Sequence, residues 1–292
     1  MISGPVGFIG LGLLGQAIAL RLRSRGFDVV AWNRESERHA PLAAAGARIA
    51  GSPREIADAC DVLCLCVLDA KAVRNVLFGA QGVLKATHRP RIVVDFSTID
   101  PDITREIAAS ASAAGITDWV DAPVSGGPAE AEVGMLTLMV GGQIEAVRSV
   151  DPILRSIAAN ATHLGDVGSG QAMKVVNQAL VGSTFVMLAE ALALARELGL
   201  PAATVPACLR GGMADSVGLQ RAWPRMVNED FTPPTGRAAQ MLKDLKCVDR
   251  IRSSANLSLP LMETTLTQYQ HYVDSGAGDD ETVSITQLYK RL

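Results

Sequence analysis

Aromatic residues are scarce in this chain: Phe, Trp and Tyr together make up 4% of its 292 residues. Proteins that track single-stranded nucleic acid use rings on which bases stack, so that platform is lacking, and the core has to be built from aliphatic side chains and alanine. Positive charge is also in short supply. Lys and Arg number 27 against 30 Asp and Glu, a formal net charge of −3, whereas a generic nucleic-acid binder needs a basic field. Cysteine is sparse and odd in number: Cys60, Cys64, Cys66, Cys208 and Cys247. Without a C-x-x-C pair this is neither a disulfide scaffold nor a zinc site. The four histidines (His39, His88, His163, His271) are scattered without ligand spacing, so no metal is expected. Cys64 and Cys66 alternate within the apolar run 62–68, where buried free thiols are the ordinary outcome. A reducing cytoplasm fits this usage.

Two further absences concern targeting. The opening MISGPVGFIGLG has no basic segment and is interrupted by glycine, so it does not read as a signal peptide. The most membrane-like stretch begins near Ala179 and is broken by Ser183, Thr184 and Glu190, which reads as too short and too punctuated to span a bilayer. The expectation is a soluble cytoplasmic protein with neither a membrane nor a nucleic acid as partner.

What the chain does have is apolar content of 48% and 27 glycines. At about 150 residues per domain its length predicts two domains. Short apolar runs at 6–9, 28–32, 62–67, 92–95, 119–121 and 136–140 read as strands, and the stretches 14–25, 69–78, 103–114 and 144–157 between them read as helices. This alternation predicts an α/β fold, a doubly wound and largely parallel sheet with right-handed crossovers. The pattern changes after residue 163. Residues 171–198 read as one long helix without proline, apolar on most faces and expected to be buried nearly all round. Pro201 after Gly199-Leu200 is a stop signal. Helical patterns at 238–253 and 260–273 follow, with no strand, and then a loop at Gly276-Ala277-Gly278 before a short terminal helix. The expected domains are 1–164, α/β, and 165–292, all-helical.

The first strand runs into Gly10-Leu11-Gly12-Leu13-Leu14-Gly15 and then a helix. Gly10 permits the tight turn, Gly12 lets backbone approach a pyrophosphate, and Gly15 allows close helix–strand packing. The helix start supplies N–H groups for the anion. The string alone is weak; between the first strand and first helix of an α/β half it is strong. The alternative is a glycine-rich turn with no ligand. At the end of the second strand, where an NAD site wants Asp or Glu for the ribose 2′-hydroxyl, this chain has Asn33 and Arg34. A guanidinium binds a 2′-phosphate by charge-assisted hydrogen bonds, so NADP(H) is expected over NAD(H); the bland reading of Arg34 is a solvated surface side chain.

Three more segments stand out. Asp121-Ala122-Pro123-Val124-Ser125-Gly126-Gly127-Pro128 ends a strand in a Ser-Gly-Gly turn, whose successive N–H groups and hydroxyl suit a carboxylate, although such a string is more often only a turn. In Gly168-Ser169-Gly170-Gln171-Ala172-Met173-Lys174-Val175-Val176-Asn177-Gln178, Lys174 and Asn177 stand at i and i+3 on one helix face. A lysine on an apolar helix either snorkels to the surface or acts as an acid/base whose pKa burial has lowered. Lys243-Asp244 on the helix 238–253 reads by itself as a solvated pair.

Taken together these residues resemble the β-hydroxyacid dehydrogenase family, which includes 3-hydroxyisobutyrate dehydrogenases and tartronate semialdehyde reductases. The resemblance rests on GFIGLGLLG from Gly7, DFSTIDP from Asp95, DAPVSGG from Asp121, GSGQAMKVVNQ from Gly168 and LKDL from Leu242, in the family's order. It implies an N-terminal Rossmann domain, a long interdomain helix, an all-α C-terminal domain and a homo-oligomer, dimer or tetramer. It implies Lys174 as the catalytic lysine, Ser125, Gly126 and Gly127 as holders of the substrate carboxylate, and Asn177 as the group that orients the substrate. Lys243 would reach cofactor and substrate, and Leu68, Asp69 and Thr98 would border the cofactor. The chain departs from the family at three places: Gln178 replaces the second of two asparagines, Glu130 a small glycine, and Met135 a threonine.

The activity so implied is hydride transfer between NADP(H) and a small β-hydroxy acid or its semialdehyde. Protonated Lys174 would stabilise the alkoxide that develops in reduction, and the Ser125 turn would position the substrate. Imine reductases share this architecture but carry Asp or Tyr in place of the lysine; hydroxy acids tested beside cyclic imines separate the two. A non-catalytic NADPH-binding module is the third reading, for which NADPH binding without oxidation would be the sign.

Overall fold

The computed structural model describes residues 4–290. The chain divides into two units, one ending at Lys174 and the other starting at Val175; the expected boundary lies ten residues earlier, at 164/165.

The first unit follows the βα alternation. Its elements are β1 (Val6–Ile9), α1 (Leu13–Ser24), β2 (Val29–Trp32), α2 (Ala40–Ala44), β3 (Arg48–Ile49), α3 (Pro53–Ala57), β4 (Val62–Leu65), α4 (Ala70–Phe78), β5 (Ile92–Asp95), α5 (Pro101–Ala113) and β6 (Asp118–Asp121). The six strands are parallel and ordered β3-β2-β1-β4-β5-β6. Strand order reverses between β1 and β4, the place in such a sheet where a ligand crevice opens beyond the strand ends. Strands β1, β4 and β5 are buried at every residue. That burial on both faces is why they read as unbroken apolar runs rather than as alternation. One face packs Phe8, Ile18, Leu22 and Val94 together; the other packs Ile9, Leu63, Val93 and Ile107. Helix starts are set by caps: Asp69 accepts from the Ala72 amide, and Asp100 accepts from those of Asp102 and Ile103. Pro101 occupies the first helical position of α5, where its missing N–H costs nothing, so this helix begins two residues before the expected 103.

The run 136–140 is a strand, as expected, but it does not extend the parallel sheet. It is β8 (Leu136–Val140), the middle of a separate three-stranded sheet between β7 (Val124–Ser125) and β9 (Ala158–His163), antiparallel to the first and parallel to the second. Helices α6 (Pro128–Val133) and α7 (Ile144–Ile157) complete this part. The sequence of β9, AANATH, is exposed along most of its length, so it carries no hydrophobic period by which to be found.

The second unit takes most of α8 (Ser169–Glu197), then α9 (Val205–Leu209), α10 (Val217–Asn228), α11 (Ala238–Ser254) and α12 (Pro260–Tyr272). A 3-10 segment, Thr282–Tyr289, forms the expected terminal helix. Leu188, Leu192, Trp223, Met226, Leu245 and Tyr269 make its core.

Helix α8 corrects two expectations. It is not buried all round: Val176, Leu180, Met187 and Leu194 are each at least half exposed and fall on one stripe. Nor is it too short for a bilayer. At 29 residues it is long and apolar enough to cross a membrane by length and composition alone. Core helices can be equally long and apolar, and Gln171, Lys174, Gln178 and Ser183 are buried polar positions along this one.

Candidate active site

The turn after β1 divides its glycines by role. A Cβ on Gly10, where φ is +101°, would lie 2.2 Å from the Cys66 carbonyl oxygen, and one on Gly15 would lie 2.0 Å from the Gly10 oxygen. Both are fixed by the close approach of backbone to backbone. At Gly12 a Cβ would meet nothing within 4 Å, so the protein leaves open the one position where a pyrophosphate needs the backbone bare. Gly12 caps α1, and its carbonyl accepts the first intrahelical bond, from Gln16. The amides of Leu13, Leu14 and Gly15 therefore stand in the first turn, where helix geometry supplies no acceptor. This arrangement fits a dinucleotide phosphate.

The loop's other residues contribute differently. Leu11 is fully buried, and its N–H donates to Asn33 Oδ1 at 2.7 Å. Leu14 is partly buried against the core, whereas Leu13 is half exposed. Asn33 is a buried brace between β2 and the glycine turn; its Nδ2 donates to the Glu35 carboxylate at 2.8 Å. The Arg34 side chain is 86% exposed and pairs with Glu35 at 2.7 Å. That guanidinium holds the Glu35 carboxyl below its usual range. Glu35 was not among the expected site residues.

Beyond β4, Leu68 is exposed, and the Asp69 carboxylate is engaged as the cap of α4. Beyond β5, Ser97 Oγ accepts the Val67 amide, which ties the two strand ends together. Thr98 is half-buried just after it. Gln171, fully buried, spans the next step: its Nε2 donates to the Ser97 carbonyl at 2.7 Å, and its Oε1 accepts the Ile99 amide at 3.1 Å.

The start of α8 is held from β6. Fully buried Asp121 accepts the Gly168 amide at 2.7 Å and the Gln171 amide at 2.9 Å. Burial pushes its carboxyl up, and these amides pull it part of the way back. The grip requires two glycines. A Cβ on Gly170 would come within 2.3 Å of the Met139 oxygen, and one on Gly141 within 2.6 Å of Asp121 Oδ1. Lys174, one turn further along α8, is 7% exposed. Sequence reasoning placed Asp121 and Gly170 inside motifs without assigning them this work, and it passed over Gly141.

At the Ser-Gly-Gly turn, Ser125 closes β7 and is half-buried, Gly126 has φ of +118°, and Gly127 caps α6. The Gly127 N–H, expected to meet a substrate carboxylate, already donates to Glu130 Oε2 at 2.7 Å.

Within the second unit the remaining candidates form one chain. Asn177 Nδ2 donates to Gln178 Oε1 at 2.8 Å, Gln178 Nε2 donates to Asp244 Oδ2 at 2.6 Å, and Lys243 Nζ lies 3.2 Å from Asp244 Oδ1. Lys243-Asp244 is thus more than a solvated pair, since Asp244 is buried and bonded to Gln178. Among the described residues no group of three or more His, Cys, Asp and Glu could hold a metal ion.

Residues 5–165 match a family model described as the NAD binding domain of 6-phosphogluconate dehydrogenase, and residues 168–289 match one described as NAD-binding of NADP-dependent 3-hydroxyisobutyrate dehydrogenase. The 2-(hydroxymethyl)glutarate dehydrogenase of Eubacterium barkeri is 31% identical over 291 residues, covering 99% of this chain and 96% of that protein. The 2-hydroxy-3-oxopropionate reductase of Escherichia coli is 34% identical over 267 residues, 90% of this chain and 88% of that one. Among solved structures, the 3-hydroxyisobutyrate dehydrogenase of Salmonella typhimurium superposes with a TM-score of 0.89 at 30% identity, covering 98% of this chain and all of that one.

Proposed function

The chain belongs to the β-hydroxyacid dehydrogenase family, the family of the 3-hydroxyisobutyrate dehydrogenases, and is a nicotinamide-dependent oxidoreductase; from that premise we propose that it interconverts a small β-hydroxy acid and its semialdehyde or ketone with NADP(H), using Lys174 as acid/base. The observation that carries this reading is Lys174 itself, a lysine buried to 7% exposure on a helix whose start is capped by Asp121. A buried lysine needs compensation, and a proton-transfer role accounts for retaining it there.

The first-turn amides of α1 and the bare Gly12 would hold the pyrophosphate, and the Asn33 brace keeps that turn in place. When bound, the nicotinamide supplies the hydride acceptor for oxidation and the donor for reduction. In oxidation the Lys174 amine takes the hydroxyl proton as the carbinol becomes a carbonyl; in reduction its ammonium stabilises the developing alkoxide and returns that proton. Ser125 and Gly126 hold the substrate's acid end, and Asn177, steadied by Gln178, orients the carbinol.

Support for NADP(H) comes from the exposed cation Arg34, whose guanidinium can bind a 2′-phosphate by charge-assisted hydrogen bonds. The exposed stripe of Val176, Leu180, Met187 and Leu194 on α8 supports a homo-oligomer in which a second copy covers it, in a soluble cytoplasmic enzyme.

The test is a screen of NADP⁺ and NAD⁺ reduction over β-hydroxy acids of increasing chain length. NADP⁺ reduction with at least one short acid, faster than with NAD⁺, is the expected result. No reduction of either cofactor across the series would contradict the proposal.

A further inference from the structure

The Ser125-Gly126-Gly127 turn already contains an anion. The Glu130 carboxylate accepts the Gly127 N–H at 2.7 Å. Its stem also lies along the turn: a Cβ at Gly126 would come 3.3 Å from Glu130 Cβ, and one at Gly127 would come 3.4 Å from Oε2. The cap runs one way: Glu130, at position N3 of α6, reaches back to the N–H of Gly127, the residue before the helix, which has no side chain to answer it.

We propose that Glu130 is a specificity-determining residue that competes with a substrate's carboxylate at this turn. This rests on the reading above, in which the turn receives the acid end of a β-hydroxy acid. An incoming carboxylate finds the Gly127 N–H taken and a like charge beside it, and like charges at close range oppose each other most where water is partly excluded. It has to bind through Ser125 and Gly126 alone. A group that carries a hydrogen and no negative charge, such as a primary amide or a hydroxyl, escapes the repulsion and gains Glu130 as an acceptor. The residue thereby shifts selectivity away from simple β-hydroxy acids and toward β-hydroxy compounds whose end at the turn is a neutral donor.

Two substitutions separate charge from capping. Glu130→Gln keeps an oxygen that can accept the Gly127 N–H but removes the charge; Glu130→Ala removes both. The measurement is the dissociation constant, by calorimetry on the enzyme saturated with NADPH, of 3-hydroxypropionate and of 3-hydroxypropionamide. Alcohol and reduced cofactor cannot react, so the binding is read without turnover. In Glu130→Gln the preference for acid over amide should rise at least tenfold relative to the unsubstituted protein, and further in Glu130→Ala. A merely structural cap would shift both ligands alike and leave the ratio where it was. An unchanged ratio in Glu130→Gln overturns the proposal whatever Glu130→Ala does. Because the readout is binding, a chain that oxidises no β-hydroxy acid would refute the proposed function and still leave this ratio to decide the role of Glu130.

Discussion

The carboxylate of Asp121, at the end of β6, accepts the backbone N–H of Gln171 at 2.9 Å, and so fixes where the helix carrying Lys174 begins. The same carboxylate takes the Gly168 amide, and the Gln171 side chain bonds the backbone on both sides of Thr98. A charged acceptor shared by two buried amides is worth more than a neutral cap, so the acid/base candidate stands on a helix start tied to two strand ends.

Substituting Gly170→Ala tests that attachment. Its Cβ would sit 2.3 Å from the Met139 oxygen and 2.9 Å from Asp121 Oδ2. The nearest of these neighbours is backbone, so the helix start has to move. We expect a loss of about 1–3 kcal/mol in urea unfolding, with turnover falling as well. Stability and turnover both at the level of the unsubstituted chain would count against the clamp.

The two glycines of the first loop should respond in opposite ways. Gly12→Ala adds a methyl that meets no protein atom within 4 Å, so thermal stability should hold while NADPH affinity falls at least ~10-fold, the scale of about 1.4 kcal/mol of lost or blocked phosphate contact. Gly10→Ala places a methyl 2.2 Å from the Cys66 oxygen at a φ of +101° and should destabilise the unit itself. Paired melting and cofactor titration distinguish the two.

The proposed preference for NADP(H) places the 2′-phosphate contact on Arg34. Removing a charge-assisted contact costs about 1.5–3 kcal/mol, so Arg34→Ala should weaken NADPH binding about tenfold or more and leave NADH nearly unaffected. An equal effect on both cofactors would show that Arg34 does not read the 2′-phosphate.

The thiols of β4 and of the segments flanking it give a pH signature. Burial pushes both Cys60 and Cys66 up to about 12, and Cys64 higher still. In the unfolded chain a thiol ionises near about 8.5. Their folded values are raised, so the stability they contribute is complete below that pH and is lost as pH rises from there toward 12. Unfolding free energy should therefore decline steadily above pH 8.5, and Cys60→Ala should soften the decline. Alkylation at pH 8 of the native protein should reach exposed Cys208 rapidly while sparing Cys60 and Cys64.

Much of this was legible in the sequence because its causes are local. Doubly buried strands show themselves as apolar runs, and the glycine turn is a contiguous string whose members each answer to one nearby constraint. The Asp121–Gln171 bond joins residues 50 apart, and nothing near either residue announces the other. Strand β9 is polar and exposed, so it has no period to detect. On α8 the apolar residues run nearly all the way round, which hides the stripe that stays exposed. The Glu130 cap is different: acid three residues after a turn residue is a helix-start spacing, and that signal was available.

In the proposed reaction the buried Lys174 moves the proton of an NADP-linked oxidation. Its most direct test compares NADP⁺ reduction by the unsubstituted chain and by Lys174→Met with the best β-hydroxy acid, alongside NADPH titration of each. With Lys174 as the acid/base, kcat should fall about 10²–10⁴-fold with cofactor affinity unchanged. A Lys174→Met enzyme turning over at the same rate would contradict it.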